Sequence, residues 1–183
     1  YPDFQKLQTL NCSSNLLTSI SVSALTNLQS LNCSSNSITN LNVSNRTALT
    51  SLNCSTNPIS VLNASGCTAL STINGYSGYY DYANNFQSTI TSLNLTNCSA
   101  LSYMYLYNNT LLNSIQITGC TGLTSIDVSS NAVLPTFTAT NLPNLTYLNC
   151  TSNPLLTALT VTGNNALTSL NCTSNAILPS LNV

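Results

Sequence analysis

The chain has 183 residues and a formal net charge of −1, from only five charged side chains: Asp3, Lys6, Arg46, Asp81 and Asp127. Two basic residues cannot neutralise a phosphate backbone, which excludes nucleic-acid binding. With no His the usual acid–base triads and zinc sites are excluded, and three acids cannot build a rich calcium cage.

Asn (29) and Ser plus Thr (54) fill the polar quota, while 43% of the chain is apolar. Disordered chains lack apolar residues and carry excess charge, so low charge does not mean disorder here. No stretch approaches the roughly 18 consecutive apolar residues of a membrane-spanning helix. The chain opens Tyr1-Pro2-Asp3, so no signal peptide is read; either one was removed or the chain is a piece of something longer.

The Leu residues fall at fixed intervals. Leu7, Leu28, Leu49 and Leu70 open units of 21 residues; Leu101, Leu123, Leu145 and Leu167 follow after 31, 22, 22 and 22. This gives eight units, the last cut short at Val183. Each opens on one spacing, as in Leu28, Leu31, Cys33, Asn36 and Ile38, then Leu49, Leu52, Cys54, Asn57 and Ile59, and later Leu167, Leu170, Cys172, Asn175 and Ile177. The second half of each unit alternates apolar and small polar residues: Ile20-Ser21-Val22, Leu41-Asn42-Val43, Leu93-Asn94-Leu95 and Ile115-Gln116-Ile117. Period two predicts a strand, and the Ser, Thr and Asn content disfavours helix.

The spacing L-x-x-L-x-C-x-x-N-x-L resembles the leucine-rich repeat over nearly the whole chain. The nested second L-x-x-L-x-L phase resembles the bacterial IRREKO subclass, which implies a surface or secreted protein. The expectation is an all-β leucine-rich-repeat solenoid of about eight coils, with two parallel β-sheets and almost no helix. Residues 1–183 read as a single solenoid domain with a Tyr-rich insertion at 74–89.

Stacked coils place equivalent residues about 4.8 Å apart, so ladders follow directly. Leu10, Leu31, Leu52, Ile73, Met104, Ile126, Leu148 and Leu170 form one inward ladder. Cys12, Cys33, Cys54, Leu106, Val128, Cys150 and Cys172 form another. A third, Asn15, Asn36, Asn57, Asn109, Asn131, Asn153 and Asn175, is expected to satisfy loop backbone groups.

Five of the eight Cys share a place with Leu and Val, so they read as small hydrophobes. Cys67, Cys98 and Cys120 share a corner, where either free thiols or one bridge is open. No metal site and no cofactor are expected.

Alternation exposes charge-free polar ladders such as Ser30-Asn32-Ser34 and Ser51-Asn53-Ser55. Such small polar residues suit a solvated sheet; they also suit a sugar or an ice lattice. Of the twelve N-x-[ST] acceptors, the corner sites Asn45, Asn97 and Asn144 are the best placed for glycosylation. Coil 4 carries ten extra residues, with Tyr76, Tyr79, Tyr80 and Tyr82. The next coil places Tyr103, Tyr105 and Tyr107 at its exposed strand places, and Asp127 lies one strand further on. These eight residues are the candidate ligand or subunit contacts, since Tyr beside Asn and Asp suits stacking plus hydrogen bonding.

The leading expectation is a non-enzymatic, extracellular or cell-surface repeat protein for structural assembly or adhesion. Tyr1 and Val183 fall at the same repeat phase, which suits head-to-tail self-stacking into a filament; trimming from a longer protein explains the phase equally well. The alternatives are a glycan- or peptide-binding receptor module using the Tyr patch, then ice binding. An Asp81 and Asp127 carboxylate pair is the sole enzymatic reading.

Overall fold

The structure, a computed structural model, describes residues 4–74 and 89–183. Those residues form a parallel β-solenoid whose coils begin at the Leu places identified above. One strand row, here the first face, holds β1 (Thr9–Asn11), β2 (Ser30–Asn32), β4 (Ser51–Asn53), β6 (Thr72–Asn74), β8 (Tyr103–Tyr105), β10 (Ser125–Asp127), β12 (Tyr147–Asn149) and β14 (Ser169–Asn171). The second face holds β3 (Asn40–Asn42), β5 (Val61–Asn63), β7 (Ser92–Asn94), β9 (Ser114–Gln116), β11 (Thr136–Thr138), β13 (Ala158–Thr160) and β15 (Leu181–Asn182). The only helical element among the described residues is a 3-10 turn at Phe4–Lys6.

Pairing is parallel and in register by the repeat length, as Leu10 with Leu31, Leu31 with Leu52, and Leu62 with Leu93. Each coil thus lays its apolar places on those of the next, and a single core runs through the stack. Leu28, Leu49, Leu70, Met104, Leu123, Ile126, Leu145 and Leu148 are buried in it. A lone coil has no such interior; stacking creates it.

The structure differs from the sequence expectations in three places. Coil 1 forms no second strand: Ser19–Ser21 stays out of the ladder, although β1 of the same coil pairs with β2. The seven second-face strands therefore make about seven full turns, although eight strands stand on the first face.

Ile177 does not take the inward place given to it. In the 22-residue coils the extra residue lies just after the ladder Asn and pushes the core residue on by one. Leu112, Leu134 and Leu156 are fully buried, whereas Leu111, Leu155 and Ile177 are about half exposed. Leu178, not Ile177, packs on the core.

Each face is also split, so the strands make four sheets rather than two. The first face is interrupted between β6 and β8, next to the long coil, and the second between β9 and β11.

Candidate functional site

The two corners of each coil are built from residues whose side chains reach into the neighbouring coil. At the first corner the ladder Asn does this. Asn57 Nδ2 donates to the carbonyls of Cys33 (2.9 Å) and Cys54 (3.1 Å), and its Oδ1 accepts from Ile38 N–H at 2.9 Å. Asn36 repeats the set against Cys12, Cys33 and Leu17. In the 22-residue coils the acceptor role moves: Asn131 Oδ1 takes the N–H of Asn109, and Asn153 Oδ1 that of Asn131. These amides are structural. Asn36, Asn57, Asn109, Asn131 and Asn153 are buried, while Asn15 at the outer coil is exposed. The corners also need left-handed backbone, taken by Ser14, Ser35, Thr56 and Ser130 at the first and by Asn45, Asn97 and Asn141 at the second.

The second corner carries a ladder of donors that sequence reasoning missed. Cys67 Sγ lies 3.1 Å from the Val43 carbonyl, Cys98 Sγ 3.1 Å from that of Ala64, and Cys120 Sγ 2.9 Å from that of Leu95. Arg46 fills the same place one coil earlier and donates from Nη1 to the carbonyls of Val22 and Ser23. Asn164 fills it in coil 7, donating to Ala139 and accepting from Leu142 N–H. These residues differ, but each puts a donor on the preceding coil; Leu142, at this place in coil 6, has no side-chain donor and interrupts the ladder. None of the eight cysteines is bridged, so the corner thiols are donors rather than half-cystines.

Burial pushes the thiols up. Cys33 and Cys120 rise to about 11, and Cys54, Cys98 and Cys150 to about 12, chiefly by desolvation. For Cys33, Cys54, Cys98 and Cys150 the next thiol in the stack adds repulsion between thiolates. Such thiols are neutral at neutral pH and poor nucleophiles. Among the described residues no group of three or more His, Cys, Asp or Glu is placed to hold a metal ion. Nor is any described helix long and apolar enough to cross a membrane.

The polar face is less free than alternation alone implies. Asn32 Oδ1 accepts from both the N–H and the hydroxyl of Ser34, and Asn53 does the same with Ser55. Asp127 copies this turn: its Oδ1 accepts from Ser129 N–H (2.9 Å) and Ser129 Oγ (2.6 Å). Its Oδ2 accepts from Asn149 Nδ2 at 3.1 Å. Both carboxylate oxygens are thus engaged, and Asp81, the proposed partner acid, lies outside the described residues.

Of the candidate contacts, Tyr76, Tyr79, Tyr80 and Tyr82 also lie outside the described residues. The remaining four form one patch on the first face. Tyr103 and Tyr105 flank Met104 on β8, both pointing outward, with ring centroids 6.2 Å apart and planes 19° from parallel. Register sets Tyr105 beside Asp127, and Tyr103 beside Ser125 and then Tyr147. Tyr103, Tyr105, Tyr107 and Tyr147 expose 60, 45, 50 and 38% of their surface. Tyr147 was not among the candidates. It occupies the same strand place as Tyr103 two coils on, so the repeat alignment alone would have found it.

The proposed acceptors Asn45, Asn97 and Asn144 are exposed corner residues. The carboxamide oxygens of Asn45 and Asn97 sit over Gly66 and Gly119 in the next coil, and Asn144 Nδ2 donates to the Thr121 carbonyl at 2.9 Å. One shallow cavity of about 150 Å³ lies beside Arg46, between Val22, Ser23 and Asn42–Arg46. Its guanidinium is already committed to backbone carbonyls.

Residues 5–45 match the family model Leucine Rich repeats (2 copies). No curated protein matches the chain. Among solved structures the chain is similar to the functional domain of InlJ from Listeria monocytogenes, described as including a cysteine ladder. Identity is 22% over 92% of this chain and 58% of that one, with a TM-score of 0.31. It is also similar to an internalin, InlF, from Listeria monocytogenes, at 21% identity over 98% of this chain and 74% of that one, with a TM-score of 0.34. The chain therefore spans less than two thirds of the InlJ domain.

Proposed function

We propose that this chain is a non-enzymatic, extracellular adhesion module that holds a protein partner on the tyrosine patch of its first face. We read residues 1–183 as one solenoid domain of the nested-strand, IRREKO type. The observation that carries the function is the patch itself: four exposed tyrosines on β8, β12 and the corner after β8, on an otherwise small and neutral surface. Tyr supplies large, stiff contact area at little entropic cost, while Ser, Thr and Asn around it supply adaptable hydrogen bonds. A stacked parallel sheet holds those side chains at fixed spacing, so little ordering remains for the moment of binding.

The test is adhesion of the labelled chain to surfaces coated with extracellular protein or with glycans. Binding to protein coats, abolished by protease treatment of the coat and reduced at least about tenfold in Tyr103→Ser/Tyr105→Ser/Tyr147→Ser, supports the proposal. Unchanged binding by the triple variant overturns it, and binding that follows the glycan coats replaces the partner with a carbohydrate.

A second reading, end-to-end assembly, has its own observation. Among the described residues β1 and β14 each have one unpaired edge, and the core residues beneath them, Leu10 and Leu170, are only half-buried where Leu31 and Leu148 are buried. Unblocked edges of this kind template further strands. Sedimentation velocity across a wide concentration range tests it: growing species support assembly, and a single monomer boundary throughout rejects it.

A further inference from the structure

Coil 5, residues 101–122, is joined to its two neighbours on opposite faces. Towards coil 4 the bonds lie on the second face: β7 pairs with β9, Leu95 N–H donates to Gln116 (2.8 Å) and Asn97 N–H to Thr118 (2.8 Å). Towards coil 6 they lie on the first face: β8 pairs with β10, Leu106 N–H donates to Asp127 (2.7 Å) and Asn108 N–H to Ser129 (3.1 Å). Among the described residues no ladder bond joins β9 to β11, and the second-corner tie between these two coils is one side-chain bond, Asn144 Nδ2 to the Thr121 carbonyl (2.9 Å). Ile117 and Gly119 stand where Leu95 and Asn97 stand in coil 4, yet neither N–H reaches coil 6. Beyond the seam the pattern resumes, with Ala139 N–H on Thr160 and Asn141 N–H on Thr162.

Two residues of coil 6 account for the seam. Pro135 occupies the place from which Asn113 N–H reaches the Thr91 carbonyl (3.0 Å) and Thr157 N–H reaches the Pro135 carbonyl (2.8 Å). A proline can accept there but has no N–H to donate back to coil 5; Pro179, at the same place in coil 8, leaves only the short pair β13–β15 but does not break it, so the open seam needs Phe137 as well. Phe137, buried at the centre of β11, is the bulkiest member of a strand rank that is otherwise Leu41, Leu62, Leu93, Ile115, Leu159 and Leu181. Across the seam Ile115 is only half-buried, whereas Leu93 one coil earlier is buried.

We propose that this seam is a built-in flexure: coils 6 to 8 swing against coil 5 about the bonded pair β8–β10, opening and closing the second face. The pivot lies under the exposed Tyr103, Tyr105 and Tyr147. The swing therefore changes the curvature of the tyrosine face without breaking its sheet, and an aromatic surface of adjustable curvature can conform to a partner. The device depends on the hydrogen-bond pattern alone and stands whether or not the patch binds protein.

Amide hydrogen exchange followed by NMR tests it on the chain as it is. Ile117 and Gly119 are expected to show protection factors at least about tenfold below those of Leu95 and Asn97, since weakly bonded segments open first. Pro135→Thr, the residue found at this place in coils 4 and 7, combined with Phe137→Leu, is expected to raise Ile117 and Gly119 to the level of Leu95. Leu106 and Asn108 should not change. Protection of Ile117 equal to that of Leu95 in the unsubstituted chain overturns the proposal. So does a folded double variant in which Ile117 still exchanges fast; if the double variant does not fold, the unsubstituted chain decides alone.

Discussion

Single side chains at the corners hold neighbouring coils together. Asn57 is nearly fully buried, and its amide serves two carbonyls and one N–H that water does not reach. Leu in its place keeps the volume but orphans those groups, at a cost of about 1–3 kcal/mol for each unsatisfied group. Asn57→Leu is therefore expected to destabilise the chain by at least about 3 kcal/mol in urea unfolding, whereas Asn15→Leu at the exposed outer coil should cost under about 1 kcal/mol. Equal effects at the two positions would remove the ladder as an explanation. Gly66 makes the complementary case. Its φ of +74° is left-handed, and a Cβ there would run into the Asn45 carboxamide oxygen. Gly66→Ala should cost about 1–3 kcal/mol, and adding Asn45→Gly, which removes the carboxamide and keeps the left-handed backbone that Asn45 holds, should recover the steric part but not the backbone part. Full recovery in the double variant would show that the conformation itself carries no strain.

At the scale of the strand and coil, the sequence is legible wherever the repeat is strict. The Leu and Cys ladders, the double strand of coils 2 to 8 and the near-absence of helix all follow from period two laid on a 21- or 22-residue interval. The free state of the inward cysteines follows from their exchange with Leu106 and Val128. What the pattern hides is the effect of one added residue. Leu111-Leu112, Val133-Leu134 and Ile177-Leu178 each offer two apolar residues, and only corner geometry decides which turns inward. The role of Cys67, Cys98 and Cys120 is hidden too, because a place that runs Arg, Cys, Cys, Cys, Leu, Asn has no common residue type to recognise. Asp127 shows the same limit from the other side: a carboxylate in the sequence suggests chemistry, yet in place it closes a turn as Asn32 and Asn53 do. All eight thiols are expected to titrate as free in denaturant, while those of Cys33, Cys54, Cys67, Cys98, Cys120 and Cys150 stay unreactive in the folded chain. Rapid labelling of Cys54 without unfolding would contradict its burial.

For the whole molecule, the scarcity of charge sets how stability responds to salt and pH. With five charged side chains and no His, little changes protonation between about pH 5 and pH 8, so the melting temperature should be nearly flat there and nearly independent of ionic strength. The buried thiols change this at alkaline pH. Their folded-state values, about 11 for Cys33 and Cys120 and about 12 for Cys54, Cys98 and Cys150, lie above the ordinary thiol value of 9.0. Between those limits the unfolded chain has released protons that the folded chain still holds, so raising the pH favours unfolding. The contribution of these thiols is therefore fully present below about pH 9 and is lost as pH climbs through the folded values. Under reducing conditions, urea unfolding from pH 7 to pH 11 should show stability constant at first and then falling, with a slope that steepens as more of the five thiols ionise in the unfolded state. Cys54→Val, which borrows the residue that Val128 already places on the same ladder, should remove one thiol's share of the fall while leaving stability at pH 7 within about 1 kcal/mol. A stability that stays level to pH 11, or a fall that Cys54→Val leaves unchanged, would show that the thiols are not held neutral in the core.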